Sequence, residues 1–265
     1  MTRRLTVTIL GSGTSTGVPV IGCPCPICES KNPRNQRLRA SIMISTPEGN
    51  PLVVDTGPDF RAQMLAHKVS RLEQVLYTHT HADHCHGFDD LRAFYFHQKS
   101  PVRCYLFEDH VEDFKARFSY AFDPHPTPNS RPQVDVQAFA AGVFKVPLGS
   151  LDLTVETEIL PHGQGVSAAF KIGAFVYATD FKEIPENIRK KWRHQVHTMI
   201  ASGVRFHSHP THSSLPETLA LMADLGVQRG IVTHLGHEID YERDSASLPP
   251  GMALAYDGMT IDVDL

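Results

Sequence analysis

Strong charge of either sign is missing from this chain. Its 265 residues carry 25 Lys and Arg against 29 Asp and Glu, a net charge of −4. No global positive field exists to hold a nucleic-acid backbone, so nucleic acid is not expected as an obligate partner, and a local basic patch is the one form such binding could still take. Long apolar runs are missing too. None approaches the roughly 18 residues of a membrane span, so no membrane partner is expected. The basic start Met1-Thr2-Arg3-Arg4 leads into Leu5 to Leu10, which alternates with threonine and stops at Gly11; that is a strand and not a secretory signal. Cysteine is sparse and odd in number. Of five, three crowd together as Cys23, Cys25 and Cys28, which fits metal chemistry in a reducing cytoplasm better than disulfides. Repeats, low-complexity tracts and runs of like charge are absent. What the chain has in unusual number is histidine, sixteen in all, within an otherwise ordinary globular composition of 41% hydrophobic and 20% charged residues.

The apolar pattern predicts many short strands with helices between them. Leu5, Val7 and Ile9 alternate with Thr6 and Thr8 as a half-buried first strand, and Ile42–Ser45 and Leu52–Val54 pair around Pro47-Glu48-Gly49-Asn50. Further strands are expected at Val75–Tyr77, Val102–Phe107, Leu151–Leu160, Val166–Ile172, Phe175–Ala178, Val196–Ile200, Ile231–Thr233 and Thr260–Val263. Leu91, Phe94 and Tyr95 recur at helical spacing. The best-marked helix runs from Pro216 to Leu225: Ser214 and Glu217 form a capping box, Leu215, Leu219 and Met222 share a face, and Gly226 stops it. Pro124, Pro126, Pro128 and Pro132 mark a loop. Nothing resembles a linker, so residues 1–265 read as one α/β domain of two sheets covered by helices. Gly11-Ser12-Gly13-Thr14-Ser15-Thr16-Gly17 has neither a Gly-Lys-Ser/Thr ending nor dinucleotide spacing; it reads as a tight turn leading to the cysteine-rich loop.

The chemistry concentrates in Tyr77-Thr78-His79-Thr80-His81-Ala82-Asp83-His84. It follows a strand and precedes a helix, on a loop at a sheet edge. His79 and His81 project the same way from an extended backbone and can share one metal, while Asp83 and His84, one turn on, can serve a second. Imidazole with carboxylate suits zinc, manganese or iron. The three thiols at Cys23, Cys25 and Cys28 need one more ligand for a closed tetrahedral zinc. Buried free thiols are the plain alternative.

H-x-H-x-D-H after an apolar strand resembles the metallo-β-lactamase superfamily. The resemblance implies its fold, a four-layer αββα sandwich of two mixed sheets flanked by helices. It also implies three later ligands, which fall on His162, Asp180 and His234, each after an expected strand. On that basis His79, His81 and His162 hold one metal, Asp83, His84 and His234 hold the other, and Asp180 bridges them. Asp55 matches an early aspartate that orients the site from behind. Two divalent ions bring +4 and two aspartates −2, leaving +2, or +1 with a bridging hydroxide, a centre suited to an anionic phosphate ester.

Within the superfamily, aspartate rather than cysteine at position 180 argues against a secreted lactamase, and a helical C-terminal domain of the glyoxalase type is not expected. The cysteine cluster resembles that of the phosphoribosyl 1,2-cyclic phosphate phosphodiesterase (PhnP-like) family, where a histidine three residues past the last active-site ligand completes it; here that is His237, giving one structural zinc at a Cys3His site. His212 matches a family histidine that touches substrate phosphate and protonates the leaving oxygen; the alternative is a loop histidine. Tyr256-Asp257-Gly258-Met259-Thr260-Ile261 also resembles the family's end. His86-Gly87-Phe88-Asp89-Asp90-Leu91-Arg92 resembles a segment of related phosphodiesterases, with Asp89 and Asp90 read either as helix caps or, with Arg92, as substrate contacts. The resemblance implies a cytoplasmic homodimer carrying two active-site ions (zinc or manganese) and hydrolysing a small cyclic phosphodiester through a metal-bridging hydroxide, with Asp180 and His212 as catalytic residues. The rivals are an RNA 3′-end endonuclease of the tRNase Z type and a non-catalytic metal-binding carrier on the same scaffold.

Overall fold

The computed structural model describes residues 4–123 and 131–265. In chain order it forms β1 (Arg4–Gly11), β2 (Ser41–Ser45), β3 (Pro51–Val54), α1 (Phe60–Ala66), β4 (Gln74–Leu76), α2 (Ala82–Cys85), α3 (Arg92–Gln98), β5 (Val102–Phe107), α4 (Val111–Arg117) and α5 (Ser119–Phe122). There follow β6 (Val134–Phe139), β7 (Gly142–Leu148), β8 (Leu151–His162), β9 (Gly165–Ile172), β10 (Phe175–Ala178), α6 (Glu186–Trp192), β11 (Thr198–Ser202), α7 (Leu215–Leu225), β12 (Arg229–Thr233), α8 (Tyr241–Ser245), β13 (Met252–Leu254) and β14 (Thr260–Asp264). Two seven-stranded sheets result, ordered β14-β1-β2-β3-β4-β5-β6 and β13-β12-β11-β10-β9-β8-β7. Each is mixed, parallel over β3–β6 and β10–β13 and antiparallel elsewhere.

The layers follow from where the apolar side chains go. Leu5, Val7, Ile9, Ile42, Ile44, Phe170, Tyr177 and Ile231 meet between the sheets. Phe60, Phe88, Phe94 and Phe114 cover the outer face of the first sheet, and Ile188, Trp192, Leu215, Met222 and Leu225 cover that of the second. The fold is therefore the expected αββα sandwich. One detail differs: β1 is not half-buried, because Leu10 packs under the helices while Val7 and Ile9 face the other sheet. Strands enclosed on both faces lose strict alternation, and this blurs their boundaries. The strand expected at Val196–Ile200 accordingly lies two residues later, and β6, β7, β13, α1, α4 and α6 carried no clear signal. Helix α7 matches the expectation, with Ser214 and Glu217 capping reciprocally and Gly226 at φ 72°, a cap worth about 1 kcal/mol. Pro132 lies in an irregular stretch; Pro124, Pro126 and Pro128 lie outside the described residues.

Parallel strands deliver their C-terminal ends to one edge, and that edge is where residues 55, 79, 180 and 234 emerge. A backbone hydrogen bond from the Ala168 N–H to the Thr78 carbonyl (2.8 Å) ties β9 to the loop after β4, so the two sheets are pinned together beside the histidine motif. Gly57 and Gly87 allow the loop after β3 to sit against α2: a Cβ on Gly57 would stand 2.1 Å from the Asp83 carbonyl oxygen, and one on Gly87 2.1 Å from that of Gly57.

Candidate metal centres

Asp55, Asp180 and His234 each stand at the end of a strand with φ of 67°, 55° and 58°. Non-glycine residues hold this left-handed conformation only where neighbours over-determine it, and such positions cluster at functional sites. The surrounding hydrogen bonds show what is being held. The Thr78 N–H and hydroxyl both donate to Asp55 (2.8 Å each), and His84 Nδ1 lies 2.7 Å from the same carboxylate. With its hydroxyl proton committed to Asp55, Thr78 Oγ1 accepts from His79 Nδ1 at 3.0 Å. His162 Nδ1 donates to the Thr211 carbonyl at 3.1 Å. In all three rings Nδ1 carries the proton, which leaves the Nε2 lone pair free to bind a cation. Thr78 and Thr211 had no sequence signal beyond adjacency to a histidine.

These nitrogens converge. The donor atoms of His79, His81 and His162 lie within 4.8 Å of one another, as do those of Asp83, His84 and His234. Asp180 sits between the two sets: its carboxylate is 3.1 Å from His84 Nε2, 3.3 Å from His234 Nε2 and 3.9 Å from His162 Nε2. His212 Nδ1 is 3.2 Å from Asp180, and its ring stacks on that of His234. Of the set, His81 is exposed at the mouth and the remaining rings are buried or half-buried.

The electrostatics are those of a site built around positive charge. Burial pushes the Asp180 and Asp83 carboxyls up, yet the neighbouring rings outweigh it and hold both below the ordinary carboxylate range, His234 and His84 at Asp180, His84 and His234 at Asp83. Burial pulls His84 down, but Asp180, Asp55 and Asp83 around it win and raise it, so a cation taken up at its Nε2 displaces a proton there. His79 goes the other way: burial and then the His84 ring lower it. For His212, burial together with His234 and His162 outweighs Asp180 and leaves it at about 3, a neutral ring. Nε2 of His79 and of His84, both ring nitrogens of His234 and Oδ2 of Asp180 are buried without a hydrogen-bond partner. Unpaired buried polar atoms are costly, and here several gather around one carboxylate. Divalent cations satisfy these atoms and fit a mixed imidazole and carboxylate donor set.

The cavity over this cluster measures about 350 Å³ and is walled by Ser15, Gln164, Gly165 and Thr211 besides the ligand-type residues. Ser15 belongs to the glycine-rich turn, closed by Gly17 N–H on the Thr14 carbonyl (2.8 Å). A larger hollow of about 570 Å³ beside α7 is lined by charges that pair among themselves, Lys182 with Glu217 and Arg189 with Asp224.

A second cluster lies nearby. Cys23, Cys25, Cys28 and His237 bring their sulfur and nitrogen atoms within 4.8 Å, with the thiols 3.3, 3.6 and 3.6 Å from His237 Nδ1. A backbone bond to Cys28 lowers Cys25 to about 6, whereas burial raises Cys28 to about 11; three thiols and one imidazole in this arrangement match a closed tetrahedral zinc site.

Asp89, Asp90 and Arg92 do not join either cluster. Phe88–Leu91 is a 3₁₀ turn with no side-chain cap, and α3 has none either, so the capping expectation is not met. Asp89 instead accepts the Tyr120 hydroxyl at 2.8 Å and pairs with Arg92 at 3.2 Å, and none of the three lines the cavity above Asp180.

Fold and donor set together define a protein of the metallo-β-lactamase fold. The family described as "Beta-lactamase superfamily domain" matches residues 50–235, and a crystal structure described as a new diphosphatase from the PhnP family is 32% identical with a TM-score of 0.91, covering 100% of this chain and 99% of that one. The chain belongs to the beta-lactamase superfamily and, within it, to the PhnP family. It is also 32% identical over 261 residues to an octanoyltransferase of Porphyromonas gingivalis, covering 97% of this chain and 51% of that protein; the chain thus spans about half the length of this relative. Zn(2+)-bound PqqB from Methylobacterium extorquens, 19% identical with a TM-score of 0.77 over 97% of this chain and 100% of that one, shares the fold.

Proposed function

We propose that this chain is a metal-dependent phosphodiesterase acting on a small, cyclic phosphate ester such as phosphoribosyl 1,2-cyclic phosphate. In this reading residues 1–265 work as one domain of a cytoplasmic homodimer. The observation that carries it is the pair of histidine-rich donor sets facing the one carboxylate of Asp180. His79, His81 and His162 would hold one ion, Asp83, His84 and His234 the other, with Asp180 between them; Cys23, Cys25, Cys28 and His237 would hold a structural zinc. Bound in the active site, divalent ions supply Lewis acidity toward phosphate oxygens and hydroxide at neutral pH.

The chain's own residues do the rest. Asp55 locks the rings of His84 and, through Thr78, of His79, so the donor geometry needs no reorganisation during reaction. Ser15, Gln164 and Thr211 offer a neutral polar wall suited to sugar hydroxyls, and positive charge for the phosphate is left to the metal centre. His212, with Nδ1 turned to Asp180, has its other ring nitrogen for the leaving oxygen. As a neutral ring it carries one proton, on the Nδ1 that faces Asp180; approach of an anionic phosphate favours uptake of a second proton from solvent at Nε2, and the imidazolium so formed passes that proton to the leaving oxygen. The small cavity and net charge of −4 favour a small anion over a tRNA.

Elemental analysis of the purified protein followed by a panel of cyclic and linear phosphodiesters tests this. Turnover of cyclic esters is expected, falling in acid because the histidine ligands must be neutral to hold metal. The description of the related structure as a diphosphatase makes a phosphoanhydride the second arm of the panel. Cleavage of a diphosphate with no action on diesters would replace this substrate, and a fully loaded but inert protein would leave the carrier reading.

Cys28→Ser is expected to remove one metal equivalent while the others stay, and to lower Tm by about 5–10 °C, the shift that losing ~2–3 kcal/mol gives a domain of this size. Elemental analysis and thermal unfolding read both. An unchanged metal count would mean that the three thiols hold no ion.

A further inference from the structure

Arg37 is 2% exposed and forms no salt bridge among the described residues. Its charge is balanced only at a distance, by Asp257, Asp240 and Asp244. A buried guanidinium in such a place is expensive unless its donors are used; Nε finds no partner, and the two terminal nitrogens reach mainly one segment. Nη1 donates to the Gly236 carbonyl at 2.9 Å, and Nη2 donates to the Ile239 carbonyl at 2.7 Å and to Asn35 Oδ1 at 3.1 Å. Those two carbonyls flank His237. The backbone of Arg37 pairs with Val18 in both directions, at 2.7 and 2.9 Å, and Val18 packs with Ile27 and Cys28 in the thiol loop. One residue therefore holds the thiol loop by its main chain and the opposing histidine segment by its side chain.

That segment, residues 234–239, begins with His234 and carries His237 three residues on. The left-handed backbone of His234 is secured on its near side by Leu235 N–H to the Ser12 carbonyl (2.8 Å), Thr14 N–H to the Leu235 carbonyl (3.1 Å) and Gly236 N–H to the Val204 carbonyl (2.8 Å). On its far side the fork of Arg37 supplies two further bonds.

We propose that Arg37 is a positioning residue for both metal centres: its guanidinium sets the path of residues 234–239 so that His234 reaches the Asp180 cavity while His237 reaches the three thiols. This rests on the reading that both donor sets hold metal. The hold on His234 comes from the chain itself and not from an ion bound at His237.

Cobalt(II) titration of the metal-free protein tests this without any assay of activity. Thiolate-to-cobalt charge-transfer absorption in the near ultraviolet reports the Cys3His site, and the weaker visible bands report the histidine and aspartate centre. Arg37→Lys keeps the charge but replaces a fork that spans two carbonyls by a single ammonium. It is expected to weaken cobalt binding at both centres by about tenfold or more, the range seen when outer partners of a metal site are lost, with an unchanged far-ultraviolet circular dichroism spectrum. Wild-type affinity at either centre in this variant overturns the proposal. Should Arg37→Lys not fold, Cys28→Ser with Arg37 intact decides: cobalt affinity at the histidine and aspartate centre is expected to stay unchanged, and a fall would show that the bound ion, not Arg37, holds His234. Wild-type protein that takes up no cobalt at that centre refutes the metal reading itself, an outcome separate from both.

Discussion

Asp180→Ala is expected to lose active-site metal and hydrolysis together. The carboxylate stands between two donor sets, with Nε2 of His84, His234 and His162 3.1 to 3.9 Å from its oxygens. Without it, two ions held close together lose the negative charge that screens them from each other. Activity should fall by more than the about 10–100-fold that follows loss of an outer partner such as Asp55, to near the uncatalysed level, and elemental analysis should find the active-site ions gone. The Cys3His ion should remain, since none of its four ligands contacts Asp180. Retention of both active-site metals in this variant would remove Asp180 from the ligand set and take the two-ion arrangement with it.

His212→Ala has a different expected signature. Turnover should drop by about 10²–10⁴-fold, the range for loss of a positioned proton donor, while metal content stays at the wild-type value. The geometry makes this a real contest, because His212 Nδ1 shares a 4.8 Å donor cluster with His162 and Asp180. Burial leaves the ring neutral, at about 3, and a neutral imidazole can serve as a ligand as well as a hydrogen-bond donor. Metal analysis separates the two. An ion lost along with His212 would reassign it as a ligand. A lowered kcat with full metal and an unchanged KM would place it at the leaving oxygen, since only an interaction made in the transition state behaves so.

Much of the candidate site is legible in the sequence alone, for a physical reason. His79, His81, Asp83 and His84 are close in sequence, so an extended loop followed by one turn of helix is enough to bring their donors together; spacing alone carries that information. The same holds for Cys23, Cys25 and Cys28. His162, Asp180 and His234 are each unremarkable in their own surroundings and became visible only through family resemblance and their position after apolar strands. Asp89 and Asp90 show the limit of local reading. Two adjacent acids before a helix look like caps, but the backbone there is a 3₁₀ turn, and Asp89 was claimed by Tyr120, thirty-one residues away along the chain.

What the sequence determined by itself is therefore the set of ligand types, the sheet-and-helix class and the capped helix α7, all of which depend on residues within a few positions of one another. The tertiary structure alone decided which lone pairs face the cavity, because that depends on hydrogen bonds between strands far apart in the chain: Asp55 behind His84, Thr211 behind His162. It alone decided that Arg37, with no motif around it, lies buried between the thiol loop and the segment from His234 to Ile239. A guanidinium seeking backbone carbonyls leaves no pattern in sequence, since every residue has a carbonyl and only the fold says which ones are within reach.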